Sequence, residues 1–177
     1  MSDREIILGC LQNDRNYQKV LFDKYSGILM TVCRRYFPDN ALAEDALQDG
    51  FIRIFQSLKQ FNFQGSFEGW LKKVVVNVAL RKIQTERKVR DWMELSAAEN
   101  KEFHCTSIDK LQEEDILTMI GILPVGYRTV FNMYVMDGFS HREISDALNI
   151  TESTSRSQLV KARQMLQKMI TETNESD

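Results

Sequence analysis

The chain has 177 residues, a formal net charge of −2 and 43% hydrophobic residues, which suits one or two small folded domains. No apolar run approaches the ~20 residues a membrane span needs, and no secretory leader opens the sequence, so a soluble cytoplasmic protein is expected. With only His104 and His141, no nucleophile elbow and no metal-ligand spacing, there is no constellation for a hydrolase, and no cofactor or metal is expected.

The three cysteines, Cys10, Cys33 and Cys105, lack paired or metal-like spacing, and Cys105 beside His104 is a two-residue coincidence in a polar stretch. They are expected to be reduced and mostly packed. Charge is informative in its distribution. Between Lys72 and Arg90, seven basic residues (Lys72, Lys73, Arg81, Lys82, Arg87, Lys88, Arg90) face Glu86 alone. Between Asp91 and Asp115, eight acids face only Lys101 and Lys110. A basic stretch followed by an acidic one suggests a nucleic-acid surface next to a linker that avoids it.

Two prolines and eight glycines interrupt the chain, mostly at the ends of helical patterns, and predict an all-α protein. A first helix is expected over about Asp3–Leu11. A second, about Arg15–Phe37, carries Tyr17, Leu21, Tyr25, Ile28, Leu29, Val32 and Tyr36 and stops at Pro38-Asp39. The third, about Ala41–Leu58, turns Leu47, Phe51, Ile54, Phe55 and Leu58 to one side. Its opposite face carries Asp45, Asp49, Ile52 and Gln56, with Gln48 at the margin. An isoleucine among acids is either a lone exposed apolar residue or part of a docking surface.

An aromatic loop, Phe61 to Ser66, leads into a fourth helix, about Phe67–Arg90. Here Phe61, Phe63, Phe67 and Trp70 precede Lys72, Lys73, Asn77, Arg81 and Lys82. Proteins that hold single-stranded nucleic acid pair a basic track with aromatic platforms for unstacked bases. Phe67 and Trp70 also fit a plain core stripe with Leu71, Val74, Val75 and Val78. From Asp91 to about Gln112 periodicity fades and acidity rises, which reads as a linker.

Helical pattern resumes at Glu113–Ile122. A further helix starts at Pro124, with Tyr127, Val130, Phe131 and Tyr134 on one face, and ends at Asp137-Gly138. Ser140 and Glu143 form a capping box, Ile144, Ala147 and Leu148 share a face, and Asn149 suits a helix stop. Thr151 caps the last helix. Its inward stripe is Ser155, Leu159, Ala162 and Leu166, leaving Arg156, Ser157, Val160, Lys161 and Gln164 outward. Two short amphipathic helices around a tight turn are the sequence form of a helix-turn-helix, whose second helix lies in the DNA major groove. The expected organisation is a domain at 1–92, a flexible linker at 93–112, a second small helical domain at 113–170 and a polar tail at 171–177.

Three stretches, in this order, resemble the extracytoplasmic-function sigma factors of bacterial RNA polymerase. Asp45-Ala46-Leu47-Gln48-Asp49-Gly50-Phe51-Ile52-Arg53-Ile54-Phe55 is similar to the polymerase-binding helix of region two. Phe63 through Asn77, with its Gly-Ser loop and Trp70-Leu71 pair, is similar to the promoter-melting segment. Leu123-Pro124 through the helix-turn-helix is similar to region four. The resemblance implies that Asp45, Gln48, Asp49 and Ile52 contact the clamp coiled coil of the polymerase's largest subunit. It implies that Phe63, Gln64, Gly65, Ser66, Trp70, Lys73, Asn77 and Arg81 handle the minus-ten element. Ser153, Thr154, Arg156, Ser157, Gln158 and Lys161 then face the minus-thirty-five element. Arg81 stands where many members carry Asp or Asn, and Gln158 where many carry Arg, departures that bear on the promoter sequence preferred. The implied partners are core RNA polymerase, promoter DNA and an anti-sigma factor, membrane-linked in this group, with no small-molecule substrate and no catalytic residue. The main rival is a conventional helix-turn-helix regulator with a sensing or dimerising amino-terminal domain. A helical adaptor or anti-terminator that binds RNA or polymerase is another.

Overall fold

A computed structural model describes the backbone of residues 1–93 and 113–174, and side chains over 1–85 and 115–171. Of the linker expected at 93–112, everything from residue 94, including His104 and Cys105, lies outside the described residues, as do the side chains of Arg87, Lys88 and Arg90. The described residues form eight α-helices and no strand, as the periodicity led one to expect. They are α1 (Asp3–Leu11), α2 (Arg15–Tyr36), α3 (Asn40–Ser57), α4 (Phe67–Met93), α5 (Glu113–Ile122), α6 (Val125–Phe131), α7 (His141–Leu148) and α8 (Glu152–Asn174). A 3₁₀ turn, Leu58–Gln60, follows α3, and a π-helical turn, Asn132–Met136, follows α6. The chain divides into two compact units, Met1–Lys82 and Ile83–Asp177.

In the first unit each early helix starts on a side chain that satisfies an orphan backbone donor. Ser2 and Glu5 form a capping box on α1, Asp14 caps α2 and Asp39 caps α3. The corner between α1 and α2 depends on Gly9, where an added Cβ would lie 2.1 Å from the Tyr17 ring. A second tie joins these helices: the Tyr25 hydroxyl and the Lys24 ammonium both donate to Asp3 Oδ1 at 2.6 Å. Hydrogen bonds from Lys24 and Tyr25 hold the Asp3 carboxyl below its ordinary range. Burial, with Asp3 nearby, pushes Tyr25 up to about 12.

Leu21, Leu29, Cys33 and Tyr36 from α2 meet Ile54 from α3 and Leu71 and Val75 from α4 in a core closed to solvent. Cys10 and Cys33 are packed, as expected, and burial raises the Cys10 thiol and drives that of Cys33 up to about 12. Of the apolar residues that α2 carries, Ile28 is 37% exposed, beside the buried Leu29, Val32 and Cys33.

The second unit builds its core from Met119 and Ile120 of α5, Leu123, Val130 of α6, Met133, Ile144 of α7, and Leu159 and Ala162 of α8. Here the sequence reading of α6 needs a correction. Tyr134 was expected on the same face as Val130 and Phe131, yet it is 38% exposed, while Asn132 and Met133 are fully buried. The π turn, closed by Asp137 N–H to Asn132 O at 3.0 Å, inserts an extra residue into the helical repeat. Met133 lies three residues after Val130, the ordinary helical spacing for a shared inward face, and Tyr134 falls on the outer side of that face.

Candidate functional site

In the first unit, helix α3 positions the expected docking face. Asp45, Gln48, Asp49 and Ile52 fall at i, i+3, i+4 and i+7, so they form one stripe. Gln48 is exposed, and Ile52 is 56% exposed, with no polar atom in its side chain to satisfy. Lys82 of α4 reaches across to this stripe, pairing with Asp45 and, at 2.6 Å, with Asp49. Burial pulls the Lys82 pKa down, but hydrogen bonds to the two aspartates outweigh it, and the net shift is upward. Lys82 was read from sequence as part of a strand-holding basic track, and the fold commits it to these acids instead. Lys72 is likewise paired, with Glu68 at 2.7 Å. A contact spanning thirty-seven residues has no local signature, which is why the sequence did not reveal the Lys82 pair.

The aromatic loop separates its residues by depth. Phe61 and Phe67 are buried, Trp70 is half-buried, and Phe63 is 50% exposed. Their rings form a cluster with Phe61 at its centre, 5.4 Å from Phe63, 5.1 Å from Phe67 and 5.6 Å from Trp70. The core reading therefore holds for Phe67, while Trp70 has one side in the core and one in an open cleft. Phe63 has φ +60°, a left-handed conformation in which Cβ crowds the backbone for any residue but glycine. Gly65 follows at φ +80°. An Asn62 side chain accepting from Gln64 N–H braces the turn at 3.1 Å, and the Arg4 guanidinium lies 5.7 Å from the Phe63 ring centroid. Ser66 Oγ accepts from Gly69 N–H at 3.2 Å, so this expected DNA contact also starts α4.

Beside the loop lies a cleft of about 210 Å³ between α3 and α4. Trp70, Lys73, Asn77 and Arg81, all named from sequence, line one wall on a single face of α4, and Arg53, Ser57 and Gln60 line the other. Sequence reasoning missed the contribution of α3, although Arg53 stands one residue from Ile52 of the expected docking stripe. The volume falls short of the ~300 Å³ at which drug-sized pockets begin. A half-buried indole, three cations and two amides with no acid among them favour a planar, anionic ligand such as one nucleotide.

In the second unit the helix-turn-helix forms as its caps dictate. Ser140 Oγ accepts from Glu143 N–H at 3.2 Å while Glu143 Oε2 accepts from Ser140 N–H at 2.8 Å. Asn149 ends α7 at φ 53°, ψ 50°. Thr151 Oγ1 accepts from Thr154 N–H at 3.0 Å and starts α8, and the two hydroxyls lie 2.8 Å apart, so Thr154 is engaged in the cap. Ser155, Leu159 and Ala162 are buried as expected. Ser153, Arg156, Ser157, Val160, Lys161 and Gln164 are exposed. Arg156 is held along the helix by Glu152 at 2.9 Å, and Lys161 lies over Tyr127 at 5.9 Å from its ring centroid. Gln158 is half-buried, with its amide within 3.5 Å of where a Cβ on Gly126 would stand, so it flanks the free face.

Residues 21–89 match the family model of sigma-70 region 2, and residues 113–166 match that of sigma-70 region 4. Together these models cover more than half of the chain. Among characterised proteins, the chain is 23% identical to the ECF RNA polymerase sigma-E factor of Haemophilus influenzae, over 96% of each chain. It is 25% identical to the ECF RNA polymerase sigma factor SigW of Bacillus subtilis, over 85% of this chain and 87% of that one. Its fold is similar to that of the sigma factor RpoE in complex with the anti-sigma factor NepR from Bartonella quintana, at a TM-score of 0.56 and 18% identity, covering 86% of this chain and 96% of that one. It is also similar to CnrH in complex with the cytosolic domain of CnrY, at 0.51 and 17%, covering 95% and 96%.

Proposed function

Because the chain belongs to the sigma-70 family, in its extracytoplasmic-function group, we propose that it binds core RNA polymerase and directs promoter-specific initiation through two separate readers. Residues 1–92 dock on the clamp coiled coil of the largest subunit through Asp45, Gln48, Asp49 and Ile52. The same domain holds the non-template strand of an opened minus-ten element with Phe63, Gln64, Gly65, Ser66, Trp70, Lys73, Asn77 and Arg81. Residues 113–170 read duplex DNA at the minus-thirty-five element with Ser153, Thr154, Arg156, Ser157, Gln158 and Lys161, and residues 93–112 tether the two. Catalysis belongs to the polymerase, which places the working protein in the cytoplasm.

The physical logic follows from the parts. Unstacking a base costs a few kcal/mol, and an exposed Phe63, together with a cleft walled by Trp70 and cations, offers stacking and charge to offset it. Binding through Arg and Lys releases counterions and makes affinity fall with salt. Two weak readers on one tether gain by effective concentration, so neither alone is sequence-specific at useful affinity. The relatives solved with NepR and with CnrY support an anti-sigma partner, membrane-linked or anchored, that occupies these faces until it is released.

The observation that carries this reading is the cleft of Trp70, Lys73, Asn77, Arg81 and Arg53, joined through the Phe61 ring to the exposed Phe63. A conventional helix-turn-helix regulator has no use for a single-strand platform. The test is binding of the free protein and of its complex with core polymerase to matched duplex and forked promoter DNA. The complex is expected to prefer the forked DNA with an unpaired non-template strand, and the free protein to bind duplex weakly. Tight, specific binding of the free protein to intact duplex overturns the proposal in favour of the conventional regulator.

A further inference from the structure

The inward stripe of α8 contains one hydroxyl. Ser155 is fully buried, between Leu159 and Ala162 below it and the start of the recognition helix above. A buried hydroxyl without a partner is destabilising. Its partner comes from the other helix of the motif: Nδ1 of His141, the first residue of α7, lies 2.9 Å from Ser155 Oγ. The imidazole is itself fixed from a third side, stacked on Tyr134 with ring centroids 4.5 Å apart and planes 21° apart. Tyr134 belongs to the π turn and is part exposed, so its ring is free to lie on the imidazole. Three elements, the π turn, α7 and α8, thus converge on one ring.

We infer that His141 is a positioning residue for upstream DNA recognition, setting the rotation and tilt of α8 through the Ser155 hydroxyl; this rests on the reading of α8 as the recognition helix. Arg156 and Ser157 follow Ser155 directly, so a small rotation about the axis that released the hydroxyl to water carries both off their bearing. The charged groups facing His141 belong to α8: Arg156 and Arg163 disfavour its cationic form and Glu152 favours it. The π turn contributes Tyr134, and α7 itself carries Arg142 and Glu143, the latter bound to Ser140.

The test uses the full chain with core polymerase on promoter pairs whose upstream element is intact or scrambled, and reads the gain in affinity that the intact element confers. His141→Phe keeps the stack on Tyr134 and deletes the hydrogen bond. It is expected to reduce that gain about tenfold, the scale of one orphaned buried hydroxyl, while initiation from the scrambled promoter is unchanged. His141→Asn, which puts an amide atom where Nδ1 stood, is expected to restore most of the gain. So is Ser155→Ala in the His141→Phe background, where no hydroxyl is left unpaired; these two carry the test if His141→Phe alone does not fold. An undiminished gain in His141→Phe, or equal losses in all three variants, overturns the inference. A wild-type protein with no upstream gain overturns the reading of α8 itself, and this inference with it.

Discussion

Lys82 of α4 pairs with Asp49 of α3 at 2.6 Å and with Asp45 one turn before it, so a lysine from α4 locks the proposed polymerase-docking stripe. The ammonium is more enclosed than either carboxylate, at 24% side-chain exposure against 59% for Asp45 and 46% for Asp49. Lys82→Met is therefore expected to lower stability by about 1 kcal/mol, the upper end for partly exposed pairs, and to weaken core polymerase binding by freeing both aspartates. Urea unfolding and co-purification with core polymerase measure the two effects.

Ile52 separates docking from folding more cleanly. It is 56% exposed, so Ile52→Arg is expected to change stability by no more than about 0.5 kcal/mol. Core polymerase binding is expected to be lost. Retained co-purification of a folded Ile52→Arg protein removes α3 from the docking surface. Asp49→Arg is also expected to abolish binding, but it sets a guanidinium against Lys82 and so loses stability as well.

At Phe63 the backbone and the function pull in opposite directions. A non-glycine residue at φ +60° carries strain of about 1–3 kcal/mol, and this ring is half-exposed, lying against Phe61 and Arg4. Phe63→Gly is expected to leave thermal stability intact or raise it, while open-complex formation falls. A folded Phe63→Gly protein with undiminished promoter opening contradicts the assignment of the ring to the displaced strand.

Arg156→Ala is expected to cost about 1–3 kcal/mol at the upstream element and to relax preference there. Its pair with Glu152 is exposed and of the kind worth only about 0.3–0.5 kcal/mol, so that pair does not prevent Arg156 from turning to DNA. Footprints on upstream variants measure the preference, and an unaltered pattern counts against the residue.

The first unit should also lose stability in alkali. Tyr25, with an ordinary pKa of about 10, is raised in the fold to about 12. Its neutral form is favoured in the folded state, so its contribution is whole below the unfolded value and is lost as pH rises between them. Cys33, also raised to about 12, and Lys82, raised by its aspartates, act in the same direction. Tyr25→Phe is expected to flatten the pH dependence of unfolding over that range without abolishing it; an unchanged slope contradicts the Tyr25–Asp3 tie.

What the sequence revealed and what it concealed divide by distance along the chain. The Ser140–Glu143 box, the Asn149 stop and the buried stripe of Ser155, Leu159 and Ala162 all follow from spacings within a few turns, and all are present. The wet stripe of α3 was legible for the same reason. Its lock to Lys82, the α3 wall of the cleft and the His141–Ser155 bond join separate helices, and local periodicity carries no trace of them. Tyr134 is a different failure: Met133 at i+3 and Tyr134 at i+4 both neighbour Val130 on a helix, and apolar spacing alone does not say which of the two points inward.

Run-off transcription with core polymerase, with and without this protein, on promoters whose upstream and minus-ten elements are separately scrambled bears most directly on the two-reader proposal. Initiation is expected only when the protein is present, falling when either element is lost and failing when both are. Initiation that does not depend on the protein, or that ignores both elements, contradicts it.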